Sequence, residues 1–594
     1  MAKVTFLPAN KSVEVPNGST ISQAAVAAGI AIESTCGGRG TCGKCKVQIL
    51  SDAERSAGWV LACQYRVHED LTVTLSESKD AYKRKTRLEQ LNSIVLSPCI
   101  HKYLLQLSKP SVKDQIPDWE RLVEALPDPN VCFNMQIARN LPKILRQSDF
   151  QVTAVLDGHT ILAVEPGDTR SRCFGAAIDI GTTTMVVYLL DLNNGQVIDI
   201  GAVTNPQRVF GADVISRISY AAQGAEPLRQ LQDRVIDGLN GIIAHLCQAQ
   251  AIDSKEIYHA VVVGNTTMSH LFLGIDPTYL APAPFIPVFR KAVEVEAREL
   301  GLNILDTAPV VVLPNIAGYV GADTVGVMLS AKIDLLPGFT LALDIGTNGE
   351  MILAGQGRIL TCSTAAGPAF EGAEIKHGMR AADGAIEGIN ITDDVQYVVI
   401  GDTKPHGICG SGLIDAIAEI AASGVINAAG RLAIRAKDCE KLPPLLQKRL
   451  RQTEQGGEFV IAWAQETETG EDIVLTQKDI RELQLAKGAI SAGVEILMTE
   501  MGIQKEQLDR VLLAGAFGNY IKKESALRIG LLPPLPIEKI SAIGNAAGDG
   551  AKMALLSTEE RERASVLADR AEHLELSARM DFQEQFIKAL SFPR

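Results

Sequence analysis

The sequence has no excess of basic residues: 57 Lys and Arg stand against 70 Asp and Glu, a formal net charge of −13 over 594 residues. A nucleic-acid backbone demands a basic footprint, so no nucleic acid is expected as the main partner. Long hydrophobic runs are missing too; nothing approaches the roughly 20 apolar residues a helix needs to cross a bilayer. The opening, MAKVTFLPANKSVEV, lacks the apolar stretch of a secretory leader. These absences lead to the expectation of a cytoplasmic protein that touches no membrane. The nine histidines show no pairing at metal-ligand spacing, and no Gly-rich phosphate loop closes on a lysine. The bulk composition, 46% hydrophobic and 21% charged, suits a globular chain. Its length exceeds one core and predicts roughly three or four units.

Cysteine is the first positive signal. There are eleven, and in a cytoplasmic chain they are not expected to pair as disulfides. Four cluster near the N-terminus, the last of them Cys63; the other seven are scattered, and Cys362 and Cys409 are read as buried apolar residues. The loop CGGRGTCGKC sets Cys36, Cys42 and Cys45 at C-x5-C-x2-C, and Cys63 follows further along the chain in LACQYRV. Three thiolates on one tight loop and a fourth returning from elsewhere suit a 2Fe–2S cluster held by four cysteines. Gly37, Gly38, Gly40 and Gly43 let backbone N–H groups turn toward the sulfurs without Cβ clashes. A structural zinc site also uses four cysteines, usually on two C-x2-C knuckles, where here there is one. Strands are expected at 3–9 and 11–15 about an Ala9-Asn10 turn, and at 45–50 and 71–75. Ser19 or Thr20 caps a helix with Ile21, Ala24, Ala25 and Ala28 on its apolar face and Gly29 at its end. This is a β-grasp-like order. Residues 1–78 resemble the 2Fe–2S ferredoxins; the first cysteine gap of five matches the adrenodoxin-like branch, and the last gap is shorter than in simple ferredoxins.

Residues 79–98 read as a charged linker and 99–170 as a small α+β middle domain with a strand pair near 151–165. Asp157-Gly158-His159 falls short of the base-off corrinoid motif D-x-H-x-x-G, since position 162 is Leu. It is read as a turn, and the chain is expected to carry no corrinoid of its own.

From residue 171 onward the signal is a repeat. GAAIDIGTTTMVVYLLDL (175–192) and TLALDIGTNGEMILAG (340–355) each run from a buried apolar strand through D-I-G-T into a second strand. Two well-separated copies, one at Asp179 and the other at Asp344, imply two similar lobes facing each other. Gly181 and Gly346 permit the turn between paired strands. Exposed N–H groups and hydroxyls at Thr182, Thr183 and Thr184, and at Thr347, Asn348 and Gly349, can hold phosphate oxygens. Asp179 and Asp344 can hold a hydrated Mg²⁺ that bridges the phosphates. Glu350, just past the second turn, is a candidate to orient an attacking water; its alternative is an exposed strand carboxylate. A third element, VLLAGAFGNYI (511–521), runs into Gly515, Ala516, Phe517 and Gly518, where small residues let an adenosine approach the backbone. Small residues at 317–329 and 543–556 suit helices that cross between lobes, and Gly410-Ser411-Gly412 opens a further helix. The charged stretch 558–580 reads as a solvated helix.

Two phosphate loops, an adenosine loop and two small-residue helices resemble the superfamily of sugar kinases, heat-shock chaperones and actin. The resemblance implies a two-lobed, ribonuclease-H-like ATPase domain over 171–594, with lobes at about 174–335 and 336–594. The fold class is therefore multidomain α/β: a β-grasp 2Fe–2S ferredoxin domain, a small α+β middle domain and an actin/sugar-kinase-type ATPase domain. The whole chain, in its domain order and in VVVGNTTMSHLFLGI (261–275) and the second D-I-G-T loop, resembles the reductive activators of corrinoid enzymes. That resemblance implies ATP-dependent, one-electron reduction of a cobalt(II) corrinoid protein in a methyltransferase system. It implies an upstream low-potential electron donor, and a homodimer is an admissible assembly. Two rival readings are a small-molecule kinase with a redox-sensing ferredoxin domain and a nucleotide-gated binding module. The activators of radical dehydratases lack the four-cysteine loop and do not fit.

Overall fold

The structure, a computed structural model, describes residues 1–7, 10–28, 30, 32, 45–51, 54–74, 95–401, 403–454, 456–518 and 520–593. Cys36, Cys42, the loop glycines Gly37, Gly38, Gly40 and Gly43, Ala9, Gly29 and most of the 79–98 linker lie outside these residues. Among the described residues no helix is long and apolar enough to cross a membrane.

The N-terminal domain is a five-stranded sheet in the order Lys11–Val15, Ala2–Leu7, Leu71–Thr74, Lys46–Ser51, Glu54–Leu61. Helix Ile21–Ala27 covers one face. Its start is a capping box: the Thr20 hydroxyl accepts from Gln23 N–H and the Gln23 side chain accepts from Thr20 N–H. Val4, Phe6, Ile21, Ala24, Val47 and Val73 form the core. The strand Glu54–Leu61 was not expected; it pairs antiparallel with Lys46–Ser51 and delivers the chain to Cys63.

The middle domain pairs Ile100–Gln106 with Gln151–Asp157, and that strand with Thr160–Pro166. Gly158, at φ 53°, makes the tight turn between the last two, so Asp157-Gly158-His159 is a hairpin corner. Helices Asp118–Glu124 and Met135–Gln147 complete this unit.

The D-I-G-T repeat is a structural repeat. Phe174–Ile180 pairs antiparallel with Thr184–Asp191 and parallel with Ile257–Gly264. Phe339–Ile345 pairs antiparallel with Gly349–Gly355 and parallel with Leu508–Ala514. In both lobes the next strand, Val197–Thr204 or Arg358–Thr364, returns antiparallel to the hairpin. Each repeat strand is buried on both faces, which is why it reads as an unbroken apolar run. Ala176, Ile178 and Ile180 pack on the long helix Ala225–Gln250, while Ala177 faces the layer between the sheets.

That layer is made of helices Ala322–Ser330 and Ala546–Leu556, packed against Ala177 and Tyr188 of one sheet and Ala342 and Ile352 of the other. Their backbones touch. A Cβ on Gly550 would lie 2.2 Å from Gly326 O, and one on Gly326 would lie 2.7 Å from Ala547 O. Only glycine fits at this crossing.

Residues 558–580 are not one solvated helix. Helix Thr558–Arg570 buries Ala564, Leu567 and Ala568, an i, i+3, i+4 stripe. The chain then forms strand Ala571–His573, which adds parallel to Arg358–Thr364 at the sheet edge.

Candidate nucleotide cleft and cysteine site

The first D-I-G-T loop is held rigidly from behind. Asn205 Nδ2 donates to Gly181 O at 2.8 Å, and Asn205 N–H donates to Thr183 O at 2.8 Å. Arg217 Nη2 donates to Thr182 O at 2.5 Å. A trans peptide sets each N–H opposite the preceding carbonyl, so the N–H groups of Thr182 and Thr183 turn to the side away from Asn205 and Arg217. Gly181 is sterically required: a Cβ there would lie 2.6 Å from Thr184 O. Asn265, which caps helix Thr266–Phe272, donates to Thr182 Oγ1 at 2.8 Å. Arg217 is itself fully buried and bonds Gly211 O and Gln207 Oε1. Burial pushes its guanidinium down to about 9.

The second loop, Gly346 to Asn348, is less confined. A Cβ on Gly346 would meet nothing closer than Asn348 O at 3.6 Å, so glycine is not demanded there by packing as it is at Gly181. The third element reaches this loop directly. Strand Leu508–Ala514 ends in Gly515, at φ 82°, where a Cβ would lie 2.5 Å from Asp344 Oδ1. Gly515, Ala516 and Gly518 form one helical turn; the Ala516 side chain lies outside the described residues. Helix Gly410–Ala422 packs instead on strand Ala385–Ile391, where a Cβ on Gly412 would meet Ile386 O at 2.1 Å.

Four carboxyl groups line the cleft, and each keeps only a partly accessible edge. Burial pushes Asp179 up to about 7, opposed by the bond it accepts from Asn545 Nδ2 at 2.9 Å. Burial raises Asp344 to about 7, reinforced by the charges of Asp323 and Asp179. Asp323 rises to about 6 by burial, partly offset by the N–H of Thr324. Glu350 is raised well above the ordinary range by burial and by Asp323 and Asp344. Asp344 and Glu350 sit directly opposite in the hairpin, a placement that costs stability for like charges. Among the described residues, no cationic side chain ranks with the leading influences on these four. Among the described residues no three of His, Cys, Asp and Glu gather closely enough to hold a metal ion; phosphate oxygens and water commonly complete the shell of Mg²⁺.

Sequence reasoning placed Asp179, Asp344 and Glu350 here and missed Asp323, Asn265, Asn545 and Arg217. Asp323 had a signal: it is the one acid in the apolar stretch AGYVGADTVGVML. It also missed Glu371, at the end of the turn Pro368–Glu371, which accepts a hydrogen bond from Thr183 Oγ1 at 2.9 Å and another from Thr347 Oγ1.

In the N-terminal domain, Cys45 precedes the strand Lys46–Ser51 and Cys63 follows Glu54–Leu61. Their backbones are tied by Ala62 N–H donating to Cys45 O at 2.8 Å. Both sulfurs are buried and lie 3.2 Å apart. That is too far for a disulfide, at about 2.05 Å, and close enough for both to reach one metal atom. Two of the four thiolates therefore fit the donor set of an Fe–S or zinc site; Cys36 and Cys42 lie outside the described residues.

Four family descriptions cover almost the entire chain: a 2Fe-2S iron-sulfur cluster binding domain at 4–68, the RACo linker region at 89–171, the RACo middle region at 174–335, and the C-terminal domain of RACo, the ASKHA domain, at 338–594. The corrinoid activation enzyme RamQ of Eubacterium limosum is 33% identical over 99% of both chains. The [Co(II) methylated amine-specific corrinoid protein] reductase of Methanosarcina barkeri is 27% identical, over 70% of this chain and 77% of its own. A solved reductive activator for a corrinoid, iron-sulfur protein superposes with a TM-score of 0.76 at 36% identity, over 100% of this chain and 99% of that one. The matches to RamQ and to the solved activator run from end to end, and the chain belongs to the family of reductive activators of corrinoid enzymes.

Proposed function

We propose that this protein uses ATP to drive one electron from a 2Fe–2S cluster onto the cobalt(II) of a corrinoid protein, restoring cobalt(I) in a methyltransferase system. The observation that carries this reading is the fusion, in one chain, of a four-cysteine loop with two facing phosphate loops. Cys36, Cys42, Cys45 and Cys63 would hold the cluster, which supplies one-electron reduction when bound. An upstream low-potential donor would reload it.

The energetics give ATP its role. Ferredoxin clusters of the plant type lie near about −400 mV, and the cobalt(II)/cobalt(I) couple lies lower still. Each ~59 mV uphill costs a factor of ten for one electron, so transfer needs a change in the couple. A nucleotide shifts such an equilibrium only by binding two states differently. The two lobes meet across glycine-only helix crossings, and that geometry suits a closing motion. In this reading the N–H groups of Thr182 and Thr183 and the turn at Thr347, Asn348 and Gly349 take the phosphates. Asp179 and Asp344 would hold a hydrated Mg²⁺, Gly515 to Gly518 would border the adenosine, and Glu350 would orient a water for hydrolysis. The corrinoid partner docks on the ATPase domain.

The cysteine assignment is tested with Cys36→Ala. The variant is expected to lose both the cluster absorbance and corrinoid reduction. Loss of the cluster with reduction intact would refute the proposed electron path.

A further inference from the structure

The two loops assigned to phosphate are already bridged. Thr183 Oγ1 donates to one oxygen of Glu371, at 2.9 Å, and Thr347 Oγ1 donates to the other. One carboxylate thus binds the hydroxyls of both D-I-G-T loops, one on each lobe. It also lies in the field of Arg217, the buried guanidinium behind the first loop.

Glu371 begins a strap that crosses the cleft a second time: Arg380 Nη1 donates to Thr204 Oγ1 at 3.0 Å. The strap's base is pinched. Gly367 and Gly372 have φ of 79° and 73°, a backbone form that favours glycine. A Cβ on Gly372 would lie 2.4 Å from Met379 O, and one on Gly378 would lie 2.0 Å from Gly372 O. Beyond Glu371 the segment is fixed to the second lobe: Lys376 N–H donates to Asp479 Oδ1 at 2.9 Å, Met379 N–H to Ile408 O at 2.9 Å, and Ile375 is buried in that lobe's core.

A hydroxyl has one proton to donate. While Thr183 and Thr347 donate to Glu371, neither can donate to a phosphate oxygen. Two anions in the same partly desolvated space also repel strongly. Bridging Glu371 and a bound phosphate therefore compete for these two hydroxyls.

We propose that Glu371 is a built-in stand-in for nucleotide phosphate, which latches the two D-I-G-T loops together and is displaced from their hydroxyls by a phosphate of ATP. This rests on the nucleotide reading above and adds a regulatory exchange to it.

The test uses the full-length protein, with Mg-ATP and adenosine as probes in calorimetry. Glu371→Ala is expected to bind ATP at least tenfold more tightly than the parent, because no bridge must be broken. Adenosine, which has no phosphate to compete, is expected to bind both proteins equally. Hydrogen exchange supplies the second readout: in the parent, residues 368–373, the turn that carries Glu371, exchange faster once ATP is added, and in Glu371→Ala they exchange fast without it. Glu371→Gln, which keeps the shape and loses the charge, covers the case of a poorly folded alanine variant and is expected to tighten ATP binding less. Unchanged or weaker ATP binding in both variants, or exchange of this turn indifferent to ATP in the parent, would overturn the latch while leaving the nucleotide site standing. Failure of the parent to bind either ATP or adenosine would overturn the site and the latch together.

Discussion

Asp344→Asn should stabilise the nucleotide-free protein and abolish its response to Mg-ATP. Burial and two neighbouring carboxylates push Asp344 from 3.8 to about 7. In the unfolded chain the group ionises near its ordinary value. Between about pH 4 and about pH 7 the native state thus holds a proton that the unfolded state has lost, and stability falls as pH rises through this window. Above it the full penalty persists. At roughly 1.4 kcal/mol per tenfold change in proton affinity, the charge costs about 4 kcal/mol; the edge open to the cleft keeps some water, so about 2 kcal/mol is the expected gain in Asp344→Asn. For a lobe of this size that raises the unfolding temperature by roughly 4–8 °C. Thermal unfolding at about pH 8 and about pH 4 checks the sign: the gain is present at the higher pH and vanishes at the lower, where both proteins are neutral at this position. Added Mg-ATP should raise the parent's transition, as a ligand of the native state must, and leave the variant's unmoved. A variant less stable than the parent at the higher pH, or one that responds normally to Mg-ATP, would refute the argument that this carboxylate is held for a cation.

Asp179→Ala is expected to weaken Mg-ATP binding at least about 100-fold, the scale of losing a charged contact, with the cluster's visible spectrum unchanged; calorimetry and absorbance on one sample decide it. Gly550→Val places methyl groups where Gly326 O already lies 2.2 Å from a Cβ; forcing the helices apart should cost about 1–3 kcal/mol and impair ATP-driven closure, read by scattering with and without nucleotide. Thr20→Ala removes the capping box of the ferredoxin-domain helix and should lower that domain's stability by about 1 kcal/mol, seen as faster loss of the cluster on heating, with ATP affinity unaffected.

How much of this was legible beforehand follows from how far each feature depends on distant parts of the chain. The D-I-G-T hairpins are local: an apolar strand, a glycine turn and a second strand follow one another without interruption, and their recurrence identified the two lobes. The cysteine loop is local as well. Glu371 is not. It lies 188 residues from Thr183, in GPAFEG, where nothing distinguishes it from a solvated turn residue. Asn545 lies 366 residues from the Asp179 it contacts, and Arg217 reads as an ordinary helix cation until its burial is known. The strand Glu54–Leu61 escaped notice because its first half, ERSA, is polar and small and shows no alternation. The stretch 558–580 was misjudged because its many charges conceal three buried apolar positions on one helix face. Gly346 was read as the equal of Gly181, yet only the first loop is confined enough to exclude a side chain.

The central claim is ATP-driven electron delivery to a corrinoid. It is tested most directly without oxygen, by mixing the reduced protein with a panel of cobalt(II) corrinoid proteins and following cobalt(I) absorbance with and without Mg-ATP. The account predicts cobalt(I) formation with at least one of them, dependent on Mg-ATP. Equal reduction without nucleotide, or no reduction of any despite an intact cluster and measurable ATP binding, would contradict it.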